Sequence, residues 1–157
     1  MKAPRKIKTI KKLAELAADR TVYVRYSRSI ARDIKRGYSL DHSQMSREPG
    51  LSAVDIRPED FAEEGWLARL LVSYGHLRYD GARAYVLTGE VAGKDSDGCT
   101  CLDASTIEVL GVLDRTLVEC LADYSLDYSR WRERWGRSVK APPAPVISEY
   151  LGPHRHL

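Results

Sequence analysis

The stretch from Asp114 to Gly136 constrains the fold most. Leu117, Leu121, Tyr124, Tyr128, Trp131 and Trp135 recur there at gaps of 4, 3, 4, 3 and 4. This is the spacing of one face of a continuous helix, with Asp114 as N-cap and Gly136 at the end. A face so long and apolar needs a cover. The chain's own core is one cover; a second copy is another, giving a homodimer through Tyr124, Tyr128, Trp131 and Trp135. Arg130, Arg132, Arg134 and Arg137 flank the tryptophans, a pattern that also suits nucleic-acid stacking. The heptad-like spacing already explains the aromatics as packing positions with arginines snorkelling around them.

Upstream the periodicity changes to two. Thr21 to Ser27 is rich in β-branched and aromatic residues and reads as a strand, with Tyr23, Arg25 and Ser27 on one face and Val22, Val24 and Tyr26 on the other. Thr9 caps a helix that carries Ile10, Leu13, Leu16 and Ala17 and ends near Arg20. Ser29 to Arg36 forms a short helix with Ile30, Ile34 and Ala31 inward, stopped at Gly37, and Tyr38 to Pro49 reads as a loop. Gly50 to Ile56 is a short strand. Pro58 then opens a long helix to about His76, in which Phe61, Trp66, Leu67, Leu70 and Leu71 cover more than one stripe and predict burial. Ala84 to Ala92 is a strand, Lys94 to Gly98 a hairpin turn, and Thr106 to Val112 a further strand. The expected class is α+β: a single domain over 9–136 of small split mixed or antiparallel sheets, with a long buried helix and a C-terminal aromatic helix. A disordered basic tail over 1–8 precedes it. A proline-rich connector and strap over 137–157 follow.

Charge sharpens the choice of partner. The 157 residues carry a net charge of +3, but Lys2, Arg5, Lys6, Lys8, Lys11 and Lys12 stand at the start with no acid among them. Without those six, 19 basic residues face 22 acidic ones, so the body is net −3. That balance argues against a surface that coats nucleic acid. No apolar run reaches the roughly 18 residues of a membrane span, and no apolar core of a secretion signal stands at the start, so a cytoplasmic location is expected. Cys99, Cys101 and Cys120 are an odd set expected to stay reduced, and their spacing with the histidines fits no structural zinc pattern, so no metal is expected. Phosphate-loop, dinucleotide, nucleophile-elbow and zinc-protease motifs are absent.

Two resemblances bear on function. Tyr23-Val-Arg-Tyr-Ser27, Pro49-Gly-Leu-Ser52 and Tyr85-Val-Leu-Thr-Gly-Glu-Val91 together resemble an uncharacterised family of small actinobacterial and phage proteins, over roughly Leu13 to Leu121. More distantly, an arginine strand, a Gly-Leu-Ser strand and Thr106-Ile-Glu-Val-Leu110, in that order, resemble the arginine-serine-glutamate class of ADP-ribosyltransferases. That resemblance implies split sheets clasping NAD. Arg25, with Tyr23 on the same strand face, would steady the phosphates and ribose through the fixed fork of guanidinium donors. Ser52 would position the nicotinamide end. Glu108 would hold the ribose hydroxyl and stabilise positive charge as the nicotinamide–ribose bond breaks. Thr106 replaces the glutamate that orients the acceptor in that class. The residues also allow plainer roles: Arg25 as a strand arginine paired with Asp33, Asp55 or Glu90, Ser52 as a turn residue and Glu108 as a solvated edge charge. The matching alternative function is a non-catalytic protein-interaction module using the aromatic helix.

Overall fold

The computed structural model describes residues 3–41, 45–57, 82–96 and 98–137. In chain order they form β1 (Lys6–Ile7), α1 (Ile10–Leu16), β2 (Val22–Ser27), α2 (Ile30–Arg36), β3 (Leu40–Asp41), β4 (Ser46–Arg47), β5 (Leu51–Ile56), β6 (Arg83–Thr88), β7 (Val91–Lys94), β8 (Thr100–Leu102), β9 (Glu108–Leu113), α3 (Arg115–Leu126) and α4 (Tyr128–Trp135). A 3₁₀ turn at Ala104–Thr106 joins β8 to β9. The fold is α+β, with a seven-stranded mixed sheet in the order β1-β9-β6-β2-β5-β8-β7 and a separate two-stranded hairpin, β3-β4. The helix expected over Pro58 to His76 and the connector beyond Arg137 lie outside the described residues.

β2 is central because it pairs on both edges. Tyr23 to Ser27 face Leu87 to Arg83 of β6, while Val22 to Val24 face Ile56 to Val54 of β5. Its alternation separates two apolar clusters, as the period of two requires. Val22 and Val24 join Ile56, Ala84, Val86 and Leu113 beneath α1, α3 and α4, which contribute Leu13, Ala17, Leu117, Cys120 and Trp131. On the other face Tyr23 packs with Ala53, Leu87, Leu102 and Ile30 of α2.

The β6/β9 pair and the β7/β8 pair are the two halves of one bent ribbon. Thr88 faces Glu108 in the first half and Val91 faces Leu102 in the second. The strand expected from Ala84 to Ala92 therefore breaks at Gly89 and Glu90. Hydrogen bonds hold the bend: the Asp103 amide donates to the Glu90 carbonyl at 2.8 Å, and the Glu90 amide to Thr106 Oγ1 at 2.8 Å. The first half lies along β2 and the second along β5. The sheet consequently curls, bringing Leu102 into the same cluster as Leu87.

Three further expectations change. The single helix from Asp114 to Gly136 is two helices, because Asp127 leaves helical geometry at φ −149°, ψ 93° and its carboxylate caps α4 by accepting from the Arg130 amide at 3.1 Å. The break lets Trp131, fully buried, enter the core, where its Nε1 donates to Cys120 Sγ at 3.4 Å. Trp135 Nε1 donates to Asp123, and Tyr128 stacks on Trp131. At Trp131 the stripe is thus covered by the chain itself rather than left open. The helix at Ile30–Arg36 ends at Gly37 in the left-handed region, as expected, but Ala31 points to solvent.

The basic start, read as disordered, contains β1. Its Ile7 is 1% exposed and sits in the main cluster. β1 lies parallel to β9, with the Val112 amide donating to the Arg5 carbonyl at 2.9 Å. Gly111 permits this approach: a β-carbon there would stand 2.7 Å from the Arg5 carbonyl oxygen and 2.9 Å from Ile7 Cδ1. Gly111→Val should therefore expel β1 and lower stability by about 1–3 kcal/mol, the usual range for overpacking. Urea unfolding with limited trypsinolysis at Lys6 and Lys8 checks this; unchanged stability with slow cleavage would contradict it.

Candidate functional site

Arg25 sits mid-strand on the face that α2 covers. Pairing between β2 and β5 stops at Val24 and Val54, one residue short of Arg25. Beyond that point Ser52, still in register with Cys101 of β8, has no partner on its β2 side, and a backbone amide and carbonyl left unmet there would be a costly state inside a fold. Side chains replace the lost ladder. Arg25 Nη1 donates to the Ser52 carbonyl at 2.7 Å and to Ser39 Oγ at 3.0 Å, while the Ser52 amide donates to the same Ser39 Oγ at 3.0 Å. Arg25 Nε donates to Asp33 Oδ2 at 2.8 Å, an ion pair 13% and 15% exposed on its two side chains. α2 delivers Asp33 on the same side as the inward Ile30, with Ser29 capping the helix through the Arg32 amide.

The splice in the sheet carries the separate β3-β4 hairpin. Ser39 donates its amide to the Gly50 carbonyl at 2.9 Å and accepts from Glu48 at 2.8 Å, which closes the base of β3-β4. Leu40 pairs with Arg47 above it. Pro49 packs at Gly93 of β7, and Ser96 donates to Glu48 at 3.3 Å, so the base also leans on the β7–β8 hairpin. Met45, beside the tip, holds φ 54°, a left-handed conformation rare for a bulky side chain.

A cationic surface adjoins the hairpin. Arg28, Arg32, Lys35 and Arg36 follow a helical spacing along the exposed side of α2, and all four are exposed. The Arg36 guanidinium lies 5.7 Å and that of Arg47 4.5 Å from the centre of the Tyr38 ring. Among the described residues only Arg36 of these five basic side chains has an ion-pair partner, Asp33, which Arg25 also uses. Arg32 repels Lys35 and Arg36 at i,i+3 and i,i+4 by about 0.2–0.5 kcal/mol per pair. Arg28 stands at the positive end of the helix. Stability alone does not select this pattern.

The side chains of Arg25, Ser52 and Glu108 do not converge. Ser52 meets Arg25 only through its backbone; its Oγ lies 3.7 Å from Cys101 Sγ, across the sheet from the arginine. Glu108 pairs with Thr88, two strands and three residues away from the Arg25–Tyr85–Val112 row, roughly 14 Å by ordinary strand spacings. Leu87 and Val109 enter the cluster of Tyr23, so Glu108, one residue along, is directed away from it and is exposed. Tyr23 is buried, with its hydroxyl pushed up by burial and by Asp55, against which Arg57 acts. The hairpin escapes sequence reasoning because Tyr38 to Pro49 has no period; the Arg28-Arg32-Lys35-Arg36 spacing was its legible signal.

Burial also pushes the Cys101 thiol up despite the Ser52 hydrogen bond, and the Cys120 thiol up despite Trp131. Thiolate is the reactive form, so alkylation of native protein at about pH 8 should spare both. Labelling of either without unfolding would contradict this. Arg25→Ala should lower stability by about 2–3 kcal/mol, since it strands the Ser52 carbonyl and leaves Asp33 only its longer contact with Arg36. Arg25→Lys should recover less than half of that, because an ammonium cannot reproduce the fork. Urea unfolding measures both; a loss below about 0.5 kcal/mol for Arg25→Ala would rule out the bracing role.

Comparison with curated proteins finds no match, and comparison with solved structures finds none either. No described helix is long and apolar enough to cross a membrane. The model of one family, described as a family of unknown function (DUF6098), matches residues 2–136, and the chain belongs to that family.

Proposed function

We propose that the chain is a non-catalytic protein-interaction module that receives its partner on the β3-β4 hairpin and the adjoining edge strand β7. One observation carries this reading. Among the described residues the large apolar side chains left exposed are Leu40 at 46%, Met45 at 88% and Val91 at 56%, and all lie on these two neighbouring elements. Single exposed apolar residues are ordinary, but three on two elements that meet at Pro49 and Gly93 mark a contact surface. The base beneath them is held by charged hydrogen bonds, which lowers the ordering cost of docking. Met45 adds a strained backbone, a feature that collects at functional positions.

The NAD reading asks for a different geometry. Its arginine needs free donors, whereas Arg25 Nε and Nη1 are engaged within the fold, and its glutamate needs to share the arginine's cleft. A peptide-display selection on the folded protein, run beside an NAD thermal-shift titration, separates the two. The expected result is a set of peptides whose binding is lost in Met45→Asp and Leu40→Asp while melting temperature is kept, with no shift from NAD. Met45→Gly should also lose binding yet melt no lower, because glycine relieves the left-handed strain. Stabilisation by NAD that Glu108→Gln abolishes, with no Met45-dependent peptide, would overturn the proposal.

A further inference from the structure

We infer that the partner segment is acidic, and that its carboxylates reach Arg28, Arg32, Lys35, Arg36 and Arg47 while its apolar side chains meet Leu40 and Met45. The inference rests on the docking surface proposed above and adds the chemistry of what docks. Charge supplies the case. Residues 28–47 hold five basic and two acidic residues, within a body that is net −3 once the first twelve residues are set aside. The concentration of positive charge is therefore local, against an acidic background that directs an anionic partner to this surface.

Local geometry favours carboxylates. Tyr38 holds the guanidinium groups of Arg36 and Arg47 by one ring; Arg36 already meets Asp33 and the Tyr38 carbonyl, whereas Arg47 has no acid partner among the described residues and offers its fork to an incoming anion. Asp33 is the only acid paired on this side among the described residues, and it already serves two arginines. Guanidinium forks match carboxylates two donors at a time, which fixes orientation as well as attraction. Duplex nucleic acid fits less well. α2 has seven residues, about 10 Å of helix, too short to follow a phosphate backbone, and exposed Leu40 and Met45 would face phosphates with nothing to gain. A membrane surface would ask for a broader apolar face than these side chains offer.

The selected peptides decide the matter. The display library carries equal numbers of acidic and basic residues, and its Met45-dependent binders are sequenced and remade with a fluorescent label. Anisotropy then compares each binder with its Glu→Gln and Asp→Asn version, on the wild type and on the Arg32→Gln, Lys35→Gln double variant. The expected outcome is an enrichment of acidic residues among binders. Affinity should fall about tenfold or more on neutralising either side, and should weaken as salt rises from about 50 to about 300 mM. Binders that stay Met45-dependent but are neutral or basic would overturn the acidic assignment and leave the docking surface standing. The absence of Met45-dependent binders would overturn both. Tighter binding of duplex DNA or phosphatidylserine vesicles than of any selected peptide, abolished in the double variant, would reassign the cationic stripe and also overturn the inference.

Discussion

The fold depends on a place where backbone pairing gives out. β2 and β5 separate after Val24 and Val54, and Arg25 closes the gap from the side-chain layer. Moving a guanidinium and a carboxylate out of water is costly, and such a pair repays the cost only when its geometry is close to saturated. Here it is close. Arg25 reaches Asp33, Ser39 and Ser52, and Ser39 in turn satisfies the Ser52 amide. One side chain therefore ties α2, the central strand, the splayed strand and the hairpin base together.

The rest of the architecture follows from that splice. Because β5 leaves β2, its outer edge accepts β8 while its free inner edge accepts the base of the β3-β4 hairpin. The ribbon built from β6–β7 and β8–β9 must then bend to lie along both central strands, and Gly89 and Glu90 mark the bend. The two apolar clusters fill the opposite sides of the curled sheet, one under α2 and the other under α1, α3 and α4. The β3-β4 hairpin contributes no residue to either cluster among the described residues. There and on the adjoining α2, exposed apolar side chains stand beside basic ones of which only Arg36 has an acid partner among the described residues.

Local signals were legible in the sequence, and long-range ones were not. The alternation of Val22, Tyr23, Val24 and Arg25 announces a strand with two unlike faces, and Thr9, Ser29 and Asp114 announce helix starts that the structure contains. Asp33 was one of three acids within reach of Arg25, and only the path of α2 selects it. Asp127 hides inside the heptad spacing because the same period runs on either side of it, although an aspartate is a good N-cap. β1 is two residues long, too short to show any period. The Ser52 roles suggested by sequence order concern its side chain, whereas the structure uses its backbone; no residue pattern reports that. The order of strands in a sheet depends on edges, which a one-dimensional pattern does not carry.

A double-mutant cycle on Arg25 and Asp33 tests the account at its centre. Arg25→Leu, Asp33→Leu and the double variant are unfolded in urea, and the coupling is taken from the departure from additivity. A bracing ion pair predicts a coupling of about 2 kcal/mol or more, with the double variant well above the sum of the single losses. A coupling near zero would mean that Asp33 does not fix Arg25 against Ser39 and Ser52, and the account of the splice and of the surface it supports would fail.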